Sequence, residues 1–285
     1  MHRSTVETVL EYDVEALTHF CFNIEAAHWP TQNIVSERLA VSSGVSVHSF
    51  TDPGSGNRFF RFDASPGPLL VDYKAEVQVF TEHIDEHLSE TPVSQVPDEI
   101  FHYLMPSRYC ESDLLCGTTR ELFGNVAPGI SRVRTVLKWI HDNIAYRPGS
   151  STSTTTAQDV FAQRAGVCRD FAHLGITFCR ALNIPARLVV GYVWFEEPPQ
   201  DFHAVFEAWI GGRWVLFDPS GMAPVDRLVR IGTGRDAKDV AFSTIFGLLQ
   251  MTRKEVDVVE HDPRAPDGRP ALELAAAAPM PAAAG

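Results

Sequence analysis

Three residues in the second half of the chain could carry out chemistry together: Cys168, His203 and Asp218. Cys168 comes directly after a glycine-containing turn and before an apolar run, residues 171–182, that predicts a helix. A thiol at the start of a helix is acidified, because the unpaired backbone N–H groups and the helix dipole favour the thiolate. The sequence therefore predicts a reactive cysteine at this position.

His203 and Asp218 lie on two predicted strands that a tight turn joins. Runs of β-branched and aromatic residues flank Gly211-Gly212, a pair that indicates a two-residue hairpin turn. In that register Val205 faces Asp218, and His203 lies two residues earlier on the same face of its strand. Diagonal neighbours of this kind are roughly 7–8 Å apart at the backbone, so the imidazole and the carboxylate can meet. The position of the thiol depends on the tertiary fold, which the register alone does not give.

A thiol beside a histidine that a carboxylate orients is the cysteine version of the nucleophile–base–orienter arrangement. Each residue alone also fits a structural role. A free cysteine is usually a small buried hydrophobe, a histidine on a strand is often a hydrogen-bonded structural group, and an aspartate before proline is a frequent turn residue. The three together, in this order and on a consistent face, favour catalysis.

The segments around these residues resemble the core of the transglutaminase-like superfamily. They read GVCRDFAHLGITFCRALNIPARLVVGY from residue 166, HAVFEAW from residue 203 and WVLFDPS from residue 214. His203 follows Cys168 by 35 residues and Asp218 follows His203 by 15, which fits that family. The resemblance implies Cys168 as the nucleophile, His203 as the base and Asp218 as the orienter. It covers about a fifth of the chain, and the three-part match is specific where any one part alone would be weak.

The resemblance implies an α+β fold with a papain-like, transglutaminase-type core and an antiparallel sheet. In the first half, short β-like runs separated by turns predict an all-β sandwich, and a β-rich N-terminal domain occupies this position in many bacterial members of the family. We expect a β-sandwich over residues 1–110 and the catalytic domain over residues 111–261. A tail rich in Pro, Ala and Gly, residues 262–285, is predicted to be disordered.

Local patterns predict further elements of the second half. Apolar residues recur at spacings of three and four over residues 130–144, which predicts a helix. Thr156 with Asp159 resembles a helix start. The Ser/Thr run of residues 150–156 is interpreted as a solvated connector, with an active-site lip as the alternative. A last strand pair is expected between residues 240 and 259.

The resemblance implies covalent acyl transfer on amide or peptide substrates. The Cys168 thiolate attacks the acyl carbon, His203 protonates the leaving amine, and Asp218 fixes the imidazole tautomer. The backbone N–H of Cys168 is one natural oxyanion donor. Candidates for the second donor are Tyr146, Gln158 and Thr156.

The sequence leaves the acceptor of the acyl group open. Water makes a cysteine peptidase or amidase and an amine makes a cross-linking transglutaminase, because the difference lies in how the acyl-enzyme is shielded from water. Trp194, Trp209 and Trp214 could wall a cleft, although aromatic residues on strands are usually packing residues. We favour hydrolysis because no dedicated amine tunnel is evident. A non-catalytic binding module that keeps the fold is a further alternative, and the filled triad counts against it.

The composition limits which binding partners and which cellular compartment are expected. A net charge of −12 and an isoelectric point near 5.3 argue against general affinity for nucleic acid or anionic membranes. The five cysteines are widely spaced and show no disulfide pattern, and neither a signal peptide nor a membrane span is evident. We therefore expect a cytoplasmic protein that acts on a peptide or protein. The oligomeric state is unknown from sequence.

We expect no metal and no organic cofactor. Residues 83–87 spell His-Ile-Asp-Glu-His, the pattern of inverted zinc peptidases. That chemistry requires a helix that places both imidazoles on one face, whereas the preceding residues read as a strand. A polar strand or loop is the favoured interpretation of this segment.

Overall fold

The computed structural model describes residues 1–42, 44–81 and 84–261, together with the backbone of Ala275–Ala278. Six strands come first. They are β1 (His2–Val14), β2 (Thr18–Phe22), β3 (Gln32–Val41), β4 (His48–Thr51), β5 (Arg58–Ala64) and β6 (Gly67–Val79). A short helix, α1 (Asp98–Phe101), lies between these strands and the second half of the chain.

In the second half, the helices precede the strands of the main sheet. The elements are α2 (Cys116–Phe123), α3 (Ile130–Asn143), β7 (Ala145–Tyr146), α4 (Ala157–Gln163), β8 (Ala165–Gly166), α5 (Cys168–Ala181), β9 (Ala186–Tyr192), β10 (His203–Ile210), β11 (Arg213–Phe217), β12 (Val229–Gly234), β13 (Ser243–Phe246), β14 (Leu249–Glu260) and β15 (Ala275–Ala278). The predicted α+β class is confirmed, as are the helices expected from the apolar spacing and from the Thr156 helix start.

Two four-stranded sheets form the sandwich, in the orders β14-β1-β6-β3 and β13-β2-β5-β4. Alternate residues of β1 are buried, as expected for a strand with one face on a core. The two expected last strands exist, but they do not pair with each other and each joins a different sheet of this sandwich. β14 pairs with β1, and β13 pairs with β2. Val256 and Val258 complete the sandwich core, which gives the chain a physical reason to return there.

The main sheet of the second half has the order β12-β9-β10-β11-β15. The predicted hairpin register is confirmed: Ile210 pairs with Arg213, and Phe206 pairs with Phe217. Both turn glycines have positive φ, 62° at Gly211 and 74° at Gly212, as a two-residue turn of this kind requires. β12 was not predicted from the sequence.

The tail predicted to be disordered falls mostly outside the described residues. The part that is described, β15, pairs its backbone antiparallel with β11. For the rest of residues 262–285 the disorder stays a prediction.

Helix α5 is buried along most of its length and packs on β10. Gly175 lies directly against Phe206, because a Cβ at this glycine would be 2.6 Å from the ring atom Cε1. The helix thus approaches β10 more closely than a side chain would allow. This close contact fixes where the N-terminal end of α5, with Cys168, lies relative to the strand that carries His203.

Loops of the sandwich cover the outer edge of β12. Asn57 Nδ2 donates to Thr233 O at 2.8 Å, and Thr233 N donates to Asn57 Oδ1 at 2.9 Å. Gln32 binds Arg230 in the same way: Arg230 N donates to Oε1 at 2.9 Å, and Nε2 donates to Arg230 O at 3.0 Å. Side-chain amides therefore satisfy the backbone groups of a sheet edge that would otherwise be open.

Replacing Gly175 by alanine should destabilise the fold, because the added Cβ overlaps the Phe206 ring. We expect a loss of about 1–3 kcal/mol in the free energy of unfolding, as for other overpacked cores. Gly117 in α2 is the matched control, since a Cβ there meets no atom within 4 Å. Gly117→Ala should be neutral or stabilising by up to about 1 kcal/mol. Urea unfolding followed by circular dichroism compares the two, and equal stabilities would contradict the close contact of α5 with β10.

Candidate active site

Cys168 is the first residue of α5 and is partly exposed. The turn before it is held by Asp170, whose Oδ2 accepts a hydrogen bond from Val167 N at 2.9 Å. Position 166 needs glycine, because a Cβ there would lie 2.8 Å from Asp170 Cβ. These contacts hold the thiol at the N-terminal end of the helix, beside backbone N–H groups that have no partner within the helix.

Arg169 ties this end of α5 to the Ser/Thr run. Its Nη2 donates to Asp170 Oδ1 at 2.8 Å and to Thr152 O at 2.9 Å. Asp170 is fully buried, so the guanidinium partly neutralises a carboxylate that is removed from water. The Ser/Thr run is thus bound next to Cys168, an arrangement that favours an active-site lip over a free connector.

The imidazole of His203 and the carboxylate of Asp218 meet at the end of the hairpin. Their atoms Nε2 and Oδ2 are 2.9 Å apart, and the two side chains are 1% and 0% exposed. The confirmed register of β10 and β11 is what brings them together. The sequence-based expectation that these two groups lie within bonding reach is therefore met by the geometry.

Asp218 has further partners that the sequence analysis missed. Its Oδ1 accepts hydrogen bonds from Ser220 N at 2.8 Å and from Ser220 Oγ at 2.6 Å, and its Oδ2 accepts one from Ala223 N at 3.3 Å. The turn after β11 thus wraps around the carboxylate and fixes its orientation. The sequence contained a signal for this turn, since an aspartate side chain often accepts a hydrogen bond from the backbone two residues further on.

The charges of the pair stabilise each other. Burial alone would lower the pKa of His203, but the Asp218 carboxylate and the neighbouring Cys168 thiol outweigh it and raise that pKa to about 10. Burial alone would raise the pKa of Asp218, yet His203 and Ser220 hold it below its ordinary value. The raised pKa of His203 and the lowered pKa of Asp218 both mean that an imidazolium is paired with a carboxylate at neutral pH.

The second nitrogen of His203 is the one left for the thiol. Nε2 is taken by Asp218, whereas Nδ1 is buried and has no hydrogen-bond partner within the part of the chain that the structure describes. Cys168 is the thiol whose interaction raises the pKa of the ring. The arrangement thus offers a proton donor at Nδ1 beside a helix-start thiol.

Tyr146 is the oxyanion-donor candidate that lies at Cys168. The strands β7 and β8 pair in parallel and put Tyr146 opposite Gly166. The pKa of the Tyr146 hydroxyl is raised, first by burial and then by the Cys168 thiol, and the backbone of Cys168 also interacts with it. Of the other two candidates, Thr156 caps α4, since its Oγ1 accepts a hydrogen bond from Asp159 N, and the backbone N–H of Gln158 donates to Glu111.

The three tryptophans that could have walled a cleft divide into two groups. Trp209 and Trp214 are buried and pack with Val96 and Ile100. Trp194 is 47% exposed, and the next residue, Phe195, lies against His203 with 5.6 Å between ring centres. The loop after β9 therefore forms part of the site's rim.

The described residues contain no group of three or more His, Cys, Asp and Glu side chains that could hold a metal. Residues 84–87 of the zinc-peptidase pattern lie in a loop with a turn at residues 86–87 instead of a helix, and His83 is outside the described residues. Among the described helices, none is both long and apolar enough to cross a membrane.

Two family descriptions match the chain: the transglutaminase-like superfamily over residues 117–219 and the bacterial transglutaminase N-terminal domain over residues 2–99. A crystal structure of a candidate cysteine protease from Cytophaga hutchinsonii is 37% identical, with a TM-score of 0.90, and the match covers 97% of each chain. The chain belongs to the transglutaminase-like superfamily.

Other relatives of this transglutaminase-like protein match over a shorter stretch. An uncharacterized protein of Mycobacterium leprae is 34% identical over 115 residues, and one of Mycobacterium tuberculosis is 35% identical over 127 residues. Each match covers 40% of the relative's own length and 36% or 40% of this chain. The chain therefore matches less than half of these proteins.

Asp218→Asn should lower the pKa of His203 from about 10, because the carboxylate is the main group that opposes burial and only the Cys168 thiol then remains to raise the pKa. Ser220→Ala keeps the carboxylate and should lower the pKa less. The NMR titration of the imidazole nitrogens measures both changes. A wild-type ring that titrates near pH 6.5 would contradict the charged pair.

The same pair gives stability a pH dependence of known sign. The folded chain holds the His203 proton more tightly than the unfolded chain, so the stability that this raised pKa contributes is complete below about pH 6.5 and is lost as the pH rises towards about 10. Urea unfolding of the wild type and of Asp218→Asn over this range should show the difference between them shrinking with pH.

Proposed function

We propose that this protein is a cysteine peptidase or amidase that hydrolyses amide or peptide bonds with Cys168 as nucleophile, His203 as acid and base, and Asp218 as orienting carboxylate. The observation that carries the proposal is the buried His203–Asp218 pair, which leaves Nδ1 for a thiol at a helix start. The similarity to a structure described as a candidate cysteine protease supports the same reaction class.

In the first half of the reaction, the Cys168 thiolate attacks the carbonyl carbon of the substrate and forms a carbon–sulfur bond. The backbone N–H of Cys168 and the Tyr146 hydroxyl donate hydrogen bonds to the oxyanion. His203 gives the proton on Nδ1 to the leaving amine, and the carbon–nitrogen bond breaks. A thioester on Cys168 and a neutral imidazole remain.

In the second half of the reaction, water attacks the thioester carbon while His203 takes a proton from that water. The carbon–sulfur bond then breaks, and the acid product leaves. The thiolate and the imidazolium are regenerated, so the cycle needs no external proton donor. The carboxylate of Asp218, held by Ser220, keeps the ring orientation through both halves.

Water is our proposed acceptor because the features that could shield an acyl-enzyme from it are weak. Two of the three candidate tryptophans are core residues, and the third is half exposed. A transglutaminase that passes the acyl group to an amine is the alternative, since the same three residues serve both reactions. A non-catalytic binding module is disfavoured by the buried charged pair, which is costly to keep without a use.

A peptide or protein is the proposed substrate, and the cytoplasm the proposed compartment. All five cysteines are free thiols, which fits a reducing environment.

Turnover of peptides carrying a fluorogenic amine at the scissile bond tests the proposal. The wild type should release the amine and leave a free acid, even with a primary amine added as competing acceptor. Cys168→Ser should abolish release, and Asp218→Asn should slow it by about 10²–10⁴-fold, as for other orienting carboxylates. Cys116→Ser is the matched control and should keep full activity, because Cys116 also starts a helix but, among the described residues, contacts Arg120 instead of a histidine.

Two outcomes would contradict the proposal in different ways. Incorporation of the added amine into the product would favour the transglutaminase alternative. Lack of turnover across a broad peptide set, with folding confirmed by circular dichroism, would favour the binding module.

A further inference from the structure

A second buried cluster of charged and aromatic side chains lies where a loop of the sandwich meets the main sheet. Its members, here named the arginine–tryptophan cluster, are Trp29, Arg187, Glu207, Trp209, Trp214 and Arg230. Glu207 lies four residues after His203 on β10, about 13 Å along an extended strand. The cluster is therefore separate from the candidate active site and independent of the proposed function.

The cluster contains a surplus of positive charge. Glu207 lies between two guanidinium groups: Arg187 Nε donates to its Oε2 at 2.7 Å, and Arg230 Nη2 donates to its Oε1. The glutamate side chain is 0% exposed and the arginine side chains are 6% and 5% exposed. Burial lowers the pKa of Arg230, and the charge of Arg187 acts in the same direction. Within the described residues, two buried cations thus share a single carboxylate.

Neighbouring carboxylates do not supply the missing charge. Glu25 and Glu37 both bind Arg58, and the carboxylate whose charge acts on Arg230 is Glu207. A buried charge without a counter-charge is costly. The cluster therefore favours an added negative charge.

The cluster also has more hydrogen-bond donors than acceptors. Five of its nitrogen atoms are buried without a partner among the described residues: Trp29 Nε1, Arg187 Nη2, Trp209 Nε1, Trp214 Nε1 and Arg230 Nη1. The two guanidinium carbons lie 5.5 Å and 4.5 Å from the centre of the Trp29 ring, for Arg187 and Arg230 respectively. Because buried polar groups nearly always have partners, such a set of donors requires an acceptor.

We propose that the arginine–tryptophan cluster binds one small monovalent anion of the halide class, namely chloride. A halide accepts several N–H donors at once, imposes no fixed geometry and supplies the missing negative charge. Water fits less well, because it adds two donor hydrogens to a site already rich in donors and leaves the charge uncompensated. The anion joins Trp29 of the sandwich to Arg187 and Arg230 of the main sheet.

Crystallography of the full chain in sodium bromide tests the site directly. Data collected at the bromine absorption edge should show an anomalous peak within hydrogen-bonding distance of Arg187 Nη2 and Arg230 Nη1. Density for water alone, or no density, with no anomalous signal at the cluster would overturn the proposal. Bromide peaks confined to the protein surface would overturn it equally.

Halide-dependent melting tests the same site in solution. Replacing gluconate by chloride at constant ionic strength should raise the melting temperature of the wild type by about 3 °C, as expected for a ligand that binds only the folded state. Trp29→Phe keeps an aromatic ring but removes one donor, and should lose at least half of this increase.

Trp139→Phe provides the matched control. Trp139 lies in α3 and also stacks against a guanidinium, that of Arg164 at 5.0 Å, but it is not part of the cluster. Its chloride effect should equal that of the wild type. Because each variant is compared with itself in two salts, a general loss of stability does not affect the result. An equal chloride effect in all three proteins would reveal a non-specific salt effect and overturn the proposal.

Discussion

The hydrogen bond between Asp218 and His203 holds two opposite charges inside the protein, and much of the local structure follows from that requirement. Removing two charges from water costs several kcal/mol, so each remaining lone pair and proton needs a partner. The turn after β11 meets this need by directing Ser220 and the Ala223 N–H at the carboxylate. The one buried atom of the pair left without a partner among the described residues is His203 Nδ1, and it is the atom that a thiol chemistry requires.

The thiol reaches this pair because helix and sheet are in rigid contact. Gly175 lets α5 lie directly on β10, and Gly166 lets the preceding turn close on Asp170, so the position of Cys168 is set at both places by close approach of the backbone. The sandwich adds a second restraint, because its loops cover the edge of β12 and residues of β9 and β12 lie in its core. The two halves share a core instead of meeting at a loose interface. This explains why a domain that carries none of the candidate active-site residues is tightly joined to the one that does.

Local chemistry explains what could be predicted from the sequence. The Gly211-Gly212 turn sets the hairpin register, and the register brings His203 and Asp218 together, so the pair could be anticipated before any fold was known.

Long-range pairing explains what could not be predicted from the sequence. β12 contains two glycines and reads as a loop, and it becomes a strand through β9 and the sandwich amides. The return of β13 and β14 to the sandwich likewise depends on partners more than 200 residues away. Tyr146 could be named only as one of three candidates, because its place beside Cys168 depends on the parallel pairing of β7 with β8.

The most direct test of the central claim, that the His203–Asp218 pair activates Cys168, is the rate of alkylation of each cysteine by iodoacetamide at mildly acidic pH, read by peptide mass spectrometry. Cys116 is the reference, since it also starts a helix but its partner within the described part of the chain is Arg120 instead of an imidazole. Cys110 and Cys179 are fully buried, and burial raises the pKa of both thiols, to about 12 for Cys110. The account predicts that Cys168 is labelled well ahead of Cys116 and that His203→Ala removes the advantage while the chain stays folded. Equal labelling of Cys168 and Cys116 in the wild type, or an unchanged rate in His203→Ala, would contradict it.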